Sequence, residues 1–184
     1  SLRRQRQMCI RDRIPQPVLV RGTGLLGASI GIGLSAAGVD VRLHDPSPAA
    51  LAVAADIRAG RPARLDAEGD DLDVAPGLVV VAAPPDVTAD VVVDSLRRWP
   101  AAVVVDIASV KEAVAAGVRA AVDDGRLAPQ DADRYLGTHP MAGSERSGPV
   151  AARGTLFTQA PWVLCPTDTT HPGAPPAGRG LALA

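Results

Sequence analysis

The feature that most constrains this chain is a glycine-rich segment, Gly22-Thr23-Gly24-Leu25-Leu26-Gly27, which follows an apolar run and opens a stretch with helical periodicity. Gly22 suits the sharp reversal from strand to helix, and Gly24 lets backbone approach a pyrophosphate without a Cβ in the way. Gly27 lets the helix lie close to the strand. Free N–H groups and the positive end of the helix dipole favour a diphosphate. The segment predicts a dinucleotide-binding turn whose six residues contact the cofactor, with an ordinary glycine-rich turn as the alternative.

A carboxylate follows this turn at a suggestive spacing. Residues 39–45 alternate like a strand and end in Asp45, 18 residues after Gly27, where about 20 are expected in dinucleotide-binding folds. Asp45 can accept hydrogen bonds from the adenosine ribose and would repel a 2′-phosphate. NAD is therefore the predicted cofactor, while Arg42 leaves NADP open. The alternative for Asp45 is a turn residue before a proline.

Strand and helix patterns alternate along the chain. Two predicted strands, 78–83 and 102–106, are continuous apolar runs, which is typical of parallel strands buried on both faces. Predicted helices lie between the strands, at 25–37, 47–58, 86–98 and 110–124, and a last strand is predicted at 162–165. This order predicts an α/β fold with a doubly wound, mostly parallel sheet. Arg21 is unexpected, because it places a charge in a strand that should be buried.

The ends of the two apolar strands indicate where a ligand would lie. In an open parallel sheet the carboxyl ends of the strands face the ligand crevice. This geometry places Ala83, Pro84, Asp106 and Ser109 beside whatever the glycine-rich turn binds, and it makes Ala83, Pro84 and Ser109 candidate cofactor contacts.

Composition excludes several classes of function. The net charge is −1, and since the first 13 residues hold five Arg and one Asp, the remaining 171 carry −5, which argues against a nucleic-acid partner. No apolar stretch approaches the roughly 18 residues of a membrane span, so no membrane partner is predicted. The two cysteines, Cys9 and Cys165, suggest neither a metal site nor a disulfide framework, so the cytoplasm is the default location.

The ends of the chain differ in character from its body. Residues 1–13 have no apolar period and are set aside as a leader that looks foreign to the protein. Residues 14–166 form the predicted nucleotide-binding domain with the histidine loop. Residues 167–184 are rich in Pro, Gly and Thr, which predicts a disordered tail.

His139 is the histidine in the most suggestive place, after a strand and beside a proline. A neutral imidazole there could accept a proton from a substrate hydroxyl while hydride leaves the carbon that bears it. Ser109 and Lys111 follow a neighbouring strand end and could reach the same crevice. Alternatives remain for each of them: a structural or solvated histidine, a helix cap at Ser109, and a solvated or phosphate-side charge at Lys111.

Four sequence runs carry a family resemblance: GTGLLGASIGIGL, VVVAAPP, DIASVKEAV and GTHPMAGSERSG. Together they resemble prephenate dehydrogenase, including its arogenate-using relatives, in order and spacing from Val18 to Pro166. The nucleotide turn is shared with many dehydrogenases. GTHPMAGSERSG combined with DxxSVK is specific to this family.

The resemblance implies a Rossmann-like domain and an activity. The activity is the NAD-dependent oxidative decarboxylation of prephenate to 4-hydroxyphenylpyruvate, a step of tyrosine biosynthesis. His139 matches the family's catalytic histidine, and Ser109 matches the serine that orients it and approaches the nicotinamide. Gly143, Ser144 and Glu145, together with His139, are implied to border the substrate.

One departure from the family is also visible in the sequence. Family members continue into a helical domain that forms a homodimer and supplies an arginine to the substrate carboxylate, and no such helices are predicted before Ala184. We therefore expect a fragment that binds dinucleotide but turns over little or no substrate. The alternatives are an arogenate dehydrogenase, another oxidoreductase of the same architecture, and a non-catalytic NAD-binding module.

Overall fold

A computed structural model of the protein describes residues 14–66, 69–142 and 147–183; the predicted leader, 1–13, lies outside them. The strands are β1 (Val18–Arg21), β2 (Val41–His44), β3 (Arg61–Pro62), β4 (Leu65–Asp66), β5 (Gly69–Asp70), β6 (Leu78–Val81), β7 (Val103–Asp106), β8 (Tyr135–Pro140) and β9 (Trp162–Cys165). The helices are α1 (Leu25–Ala36), α2 (Pro48–Asp56), α3 (Pro85–Arg98), α4 (Lys111–Asp123), α5 (Pro129–Ala132) and α6 (Ala174–Leu183), with a 3₁₀ turn at Pro149–Ala151.

Seven strands form one mostly parallel sheet in the order β3-β2-β1-β6-β7-β8-β9. All neighbouring pairs are parallel except β8 with β9, which is antiparallel. The chain winds outward from β1 through β2 to β3 and then resumes on the other side of β1 with β6. This reversal makes a topological switch point between β1 and β6, and in doubly wound sheets such a point opens a crevice for a ligand. The predicted α/β Rossmann-like fold is confirmed.

The core lies on both faces of this sheet. Every residue of β6 and β7 is buried, as expected for apolar strands covered on both sides. Alternate side chains enter two apolar clusters, because successive residues of a strand point to opposite faces. One cluster joins the sheet to α1, α2 and α6, and the other joins it to α3 and α4. The helices thereby hold the strand ends in fixed positions around the crevice.

Arg21 is accommodated at the end of β1 without entering the apolar core. Its guanidinium donates to the Asp94 carboxylate at 2.6 Å and to the Ser95 hydroxyl at 2.8 Å, both on α3. It also lies 5.9 Å from the centre of the Trp99 ring, within the range of a cation–π contact. The charge that was unexpected in a buried strand is thus paired with polar groups of the neighbouring helix, and the arginine side chain is only 12% exposed.

The prediction of a disordered tail over 167–184 is wrong for most of that segment, because Ala174–Leu183 forms the helix α6. Ala174, Ala177 and Leu181 are buried against the sheet, and this spacing places them on one helical face. Gly178 adds to that face, since a Cβ there would lie 2.9 Å from Leu136 of β8. Proline and glycine signalled disorder, but prolines in a first helical turn are tolerated and small residues permit close packing.

The described ranges contain neither a membrane-spanning helix nor a cluster of metal-ligating side chains. None of the helices within 14–66, 69–142 and 147–183 has both the length and the apolar character needed to cross a membrane. In the same ranges, His, Cys, Asp and Glu side chains form no group of three or more that could hold a metal ion.

Candidate functional site

A cleft of about 820 Å³ opens at the carboxyl ends of the parallel strands. Nine of the residues singled out from the sequence line it, namely Gly22, Gly24, Leu25, Leu26, Asp45, Ala83, Pro84, Ser109 and His139. Thr23 and Gly27 are buried beneath the turn and do not line the cleft. Gly143, Ser144 and Glu145 lie outside the described residues, between Ala142 and Ser147, which both line the cleft.

Gly22 and Gly24 have different roles in the glycine-rich turn. Gly22 has φ +103°, and a Cβ there would lie 2.4 Å from the Ala82 carbonyl oxygen, so both conformation and space require glycine. Apart from its own chain neighbours, Gly24 at the start of α1 has no atom of the described residues within 4 Å of where its Cβ would be. That open space faces the helix start, where N–H groups lack intrahelical partners. The turn therefore offers a cradle that fits a diphosphate and that a side chain at Gly24 would fill.

Asp45 is held in place by the turn itself. Its Oδ2 accepts hydrogen bonds from the Thr23 backbone N–H at 2.6 Å and from the Thr23 hydroxyl at 2.9 Å. Its Oδ1 accepts from the Ser47 N–H at 2.8 Å. The carboxylate thus stands at the edge of the cleft in a fixed orientation, at the end of β2. Its predicted ribose contact stays a prediction, and the buried Thr23 supports the carboxylate from below.

Sequence reasoning missed His44, which lines the cleft directly before Asp45. Burial lowers the pKa of His44, while a weak contact of its ring with the Ala63 carbonyl raises it and the nearby Arg21 lowers it further. A mostly neutral imidazole therefore borders this end of the cleft at neutral pH. The alternating pattern of β2 could have predicted that His44 is half-exposed. Its place at the cleft could not be predicted, because it depends on the fold.

Ser109 and His139 reach the cleft from neighbouring strands. Ser109 follows β7, and His139 lies near the end of β8, which pairs in parallel with β7. His139 Nδ1 is buried and has no hydrogen-bond partner among the described residues, so Ser109 does not bond to it in the structure. A buried ring nitrogen without a partner is uncommon and suits a site completed by a ligand. The two residues are brought together as predicted, and their catalytic roles stay predictions.

Asp106 and Lys111 are placed differently from the expectation. Asp106 is fully buried and does not line the cleft, because its carboxylate bonds to three groups beneath the cleft. The donors are the Ala108 N–H, the Tyr135 hydroxyl and the Lys111 ammonium. Lys111 is only 20% exposed and is thus neither solvated nor directed at a phosphate.

Burial and the neighbouring Asp106 carboxylate shift the pKa values of Lys111 and Tyr135. Burial lowers the pKa of Lys111, and the Asp106 carboxylate partly opposes that shift by stabilising the ammonium. Burial raises the pKa of Tyr135, and the adjacent Asp106 charge raises it further. Tyr135 therefore acts as a neutral hydrogen-bond donor, and the pair of Asp106 and Lys111 carries the charge.

Comparison with known proteins agrees with this geometry. Residues 32–174 match the family model described as prephenate dehydrogenase, nucleotide-binding domain. The chain is 37% identical over 165 residues to “Probable prephenate dehydrogenase NovF” of Streptomyces niveus, covering 90% of this chain and 41% of that protein.

Solved structures share the fold. An arogenate dehydrogenase of Synechocystis superposes with a TM-score of 0.73 at 26% identity, covering 89% of this chain and 55% of that one. The prephenate dehydrogenase of A. aeolicus, in complex with hydroxyphenyl propionate and NAD+, superposes with a TM-score of 0.76 at 23% identity, covering 91% and 56%. The chain spans about half the length of these relatives. With its fold, its cleft and the family match over more than half of its residues, the chain belongs to the family of prephenate dehydrogenase nucleotide-binding domains.

Proposed function

We propose that the chain supplies the NAD-binding and proton-accepting part of a prephenate dehydrogenase. The reaction converts prephenate and NAD to 4-hydroxyphenylpyruvate, carbon dioxide and NADH. The observation that carries the proposal is one cleft that unites the glycine-rich turn, Asp45, Ser109 and His139. Family membership and the ligands of the A. aeolicus relative support the same assignment. A cytoplasmic location is proposed from the biosynthetic role.

Each end of the cleft has a separate task in this reaction. Bound NAD would supply the acceptor for the hydride that leaves the ring carbon carrying the substrate hydroxyl. The turn would hold its diphosphate and Asp45 its adenosine ribose. His139 accepts the hydroxyl proton as the carbon–oxygen bond gains carbonyl character, with Ser109 orienting the imidazole. The electron pair of the breaking bond to the carboxyl group restores the aromatic ring.

Arogenate is the second candidate substrate. The Synechocystis relative, an arogenate dehydrogenase, is 26% identical to this chain and shares its fold. The two substrates differ in the side chain remote from the ring hydroxyl, so His139 and Ser109 would serve both in the same way. We propose that residues beyond this domain make the choice, in a whole protein that forms a homodimer through a further helical domain.

The substrate-side loop is part of the proposal. Gly143, Ser144 and Glu145 belong to the run between Ala142 and Ser147, whose two ends border the cleft. We propose that this run contacts the substrate next to His139. Since the chain spans about half of its relatives, turnover is assigned to the whole protein and ligand binding to this domain.

Calorimetric titration tests the proposal on the chain as it stands. NAD should bind, and Gly24→Val should abolish binding, because valine fits the extended backbone at Gly24 but fills the cradle. Hydroxyphenyl propionate should then bind to the NAD complex, and His139→Ala should weaken only this second ligand. Thermal unfolding confirms that both variants fold. Equal NAD affinity in Gly24→Val would contradict the assignment of the cradle.

A further inference from the structure

The unassigned feature of this domain is the buried ion pair beneath the cleft. Asp106 is the last residue of β7 and is fully buried, and Lys111 is the first residue of α4. Neither side chain lines the cleft, and the charged groups bond to each other, to the Thr138 carbonyl and to the Tyr135 hydroxyl. A buried ion pair adds little to stability compared with apolar packing, because desolvation offsets most of the attraction. Its presence here calls for another explanation.

The hydrogen bonds of the pair reach both catalytic candidates. Asp106 Oδ2 accepts from the Ala108 N–H at 2.9 Å, directly before Ser109, and from the Lys111 ammonium. The same ammonium donates to the carbonyl of Thr138 at 2.5 Å, directly before His139. One ammonium therefore joins the backbone that carries Ser109 to the backbone that carries His139.

A second set of contacts braces the same junction. The Thr138 hydroxyl donates to the Asp106 carbonyl at 2.7 Å, and the Tyr135 hydroxyl donates to Asp106 Oδ1 at 2.8 Å. Gly137 leaves the space that the lysine uses, since a Cβ there would lie 3.3 Å from Lys111 Cδ and 3.2 Å from the tyrosine oxygen. The ends of β7 and β8 are thus fixed by side chains in addition to their strand pairing.

We propose that Lys111 is a positioning residue that, through Asp106 and the Thr138 carbonyl, sets the placement of Ser109 relative to His139. The proposal deepens the proposed function, on which the roles of Ser109 and His139 rest. Strand pairing alone leaves the ends of β7 and β8 some freedom to move relative to each other. Proton transfer needs its donor and acceptor held at hydrogen-bond distance. The ammonium supplies this additional constraint. Lys111 itself touches neither substrate nor cofactor.

The test compares Lys111→Met with Arg119→Met in the whole chain. Arg119 lies on the same helix in an exposed pair with Glu112, so its loss leaves the cleft intact. ¹⁵N spectra of the imidazoles resolve the three histidines, His44, His139 and His171. Lys111→Met should move the ring signals of His139 and the amide signals of Ala108 and Ser109, and leave those of His44 and His171 in place. Arg119→Met should move none of them.

A double variant keeps the test decisive if Lys111→Met unfolds. Asp106→Asn combined with Lys111→Met leaves no unpaired buried charge, so the fold should persist, yet the tie to the Thr138 carbonyl is still lost. His139 should remain displaced in the double variant. Unchanged His139 signals in the double variant would overturn the proposal.

Ligand affinity separates this proposal from the proposed function. In the double variant, hydroxyphenyl propionate should bind the NAD complex about tenfold more weakly, the loss expected for one misaligned hydrogen bond, while NAD affinity changes less than about twofold. Loss of NAD affinity to the same degree would overturn a positioning role confined to the catalytic end. If the wild-type chain binds no NAD, the proposed function fails; if it binds NAD but no hydroxyphenyl propionate, the histidine spectra alone decide the role of Lys111.

Discussion

The two ends of the cleft are built in different ways. The nucleotide end is a contiguous backbone motif, 22–27, supported by a single carboxylate that bonds back to it through Thr23. The catalytic end joins two strand ends from residues about thirty positions apart, and it depends on the buried group of Asp106, Lys111 and Tyr135. A contiguous motif is set by local conformation, whereas the catalytic end requires the assembled sheet. Its geometry should therefore respond to packing far from the cleft.

The largest effect is expected at the nucleotide end from Gly22→Ala. The new Cβ would lie 2.4 Å from the Ala82 carbonyl oxygen, at a residue with φ +103°. Overpacking and backbone strain should together cost about 2 to 4 kcal/mol of unfolding free energy and abolish NAD binding. Urea unfolding and calorimetry measure both. Gly24→Ala, in the same turn but in open space, is the matched control and should unfold like the wild type.

A substitution in α6, far from the cleft, should alter the catalytic end. Leu181 is 3% exposed on α6, which packs against β8, so Leu181→Ala should cost about 2 to 3 kcal/mol in urea unfolding. The His139 imidazole signals should shift, and NAD affinity should change little. Val74→Ala is the control, because Val74 is 61% exposed and does not line the cleft. Equal stability of Leu181→Ala and the wild type would show that α6 does not support the sheet.

Asp45→Asn tests the specificity of the nucleotide end. Loss of the negative charge should weaken NAD about tenfold and improve NADP relative to NAD, because a 2′-phosphate is no longer repelled. Asp40→Asn is the matched control. Asp40 pairs with Arg42 and Arg61 and does not line the cleft, so its loss should leave the ratio of the two affinities unchanged. An unchanged ratio in Asp45→Asn would contradict the ribose contact.

The smallest effect concerns pH and His44. Burial lowers its pKa in the folded state below the unfolded value of 6.5, so the unfolded state takes up a proton first as pH falls. The free energy of unfolding should therefore decrease as pH drops through and below 6.5. His44→Gln should remove part of this decrease between neutral pH and about pH 5, measured by urea unfolding. His171→Gln, at an exposed residue, should retain it.

The same contrast explains what the sequence could predict. The buried strands β6 and β7 are continuous valine-rich runs, and the turn at 22–27 combines glycine spacing with a following carboxylate. The strands and the turn can therefore be predicted from short stretches of sequence. The meeting of Ser109 and His139 at one cleft followed from the rule that the carboxyl ends of parallel strands share one edge of the sheet.

The remaining features depend on tertiary contacts. Lys111 was expected at a solvated or phosphate-side position because a lysine five residues after an aspartate carries no signal of burial. Helix α6 was missed because its composition, rich in proline and glycine, predicts disorder. Its stability comes from small residues that pack on Leu136 and Leu164. The short strands β3 and β4 likewise form by pairing with β2 and β5, and no sequence pattern marks them.

The most direct test of the account is an NMR titration of the ¹⁵N-labelled chain with NAD and, separately, with ADP-ribose, which lacks the nicotinamide. With ADP-ribose, amide shifts should be confined to the nucleotide end, at Gly22, Gly24 and Asp45. With NAD, the same shifts should appear together with shifts at Ser109 and His139, along one binding curve. NAD shifts that match those of ADP-ribose and leave Ser109 and His139 unmoved would contradict a single cleft that joins cofactor to catalytic residues.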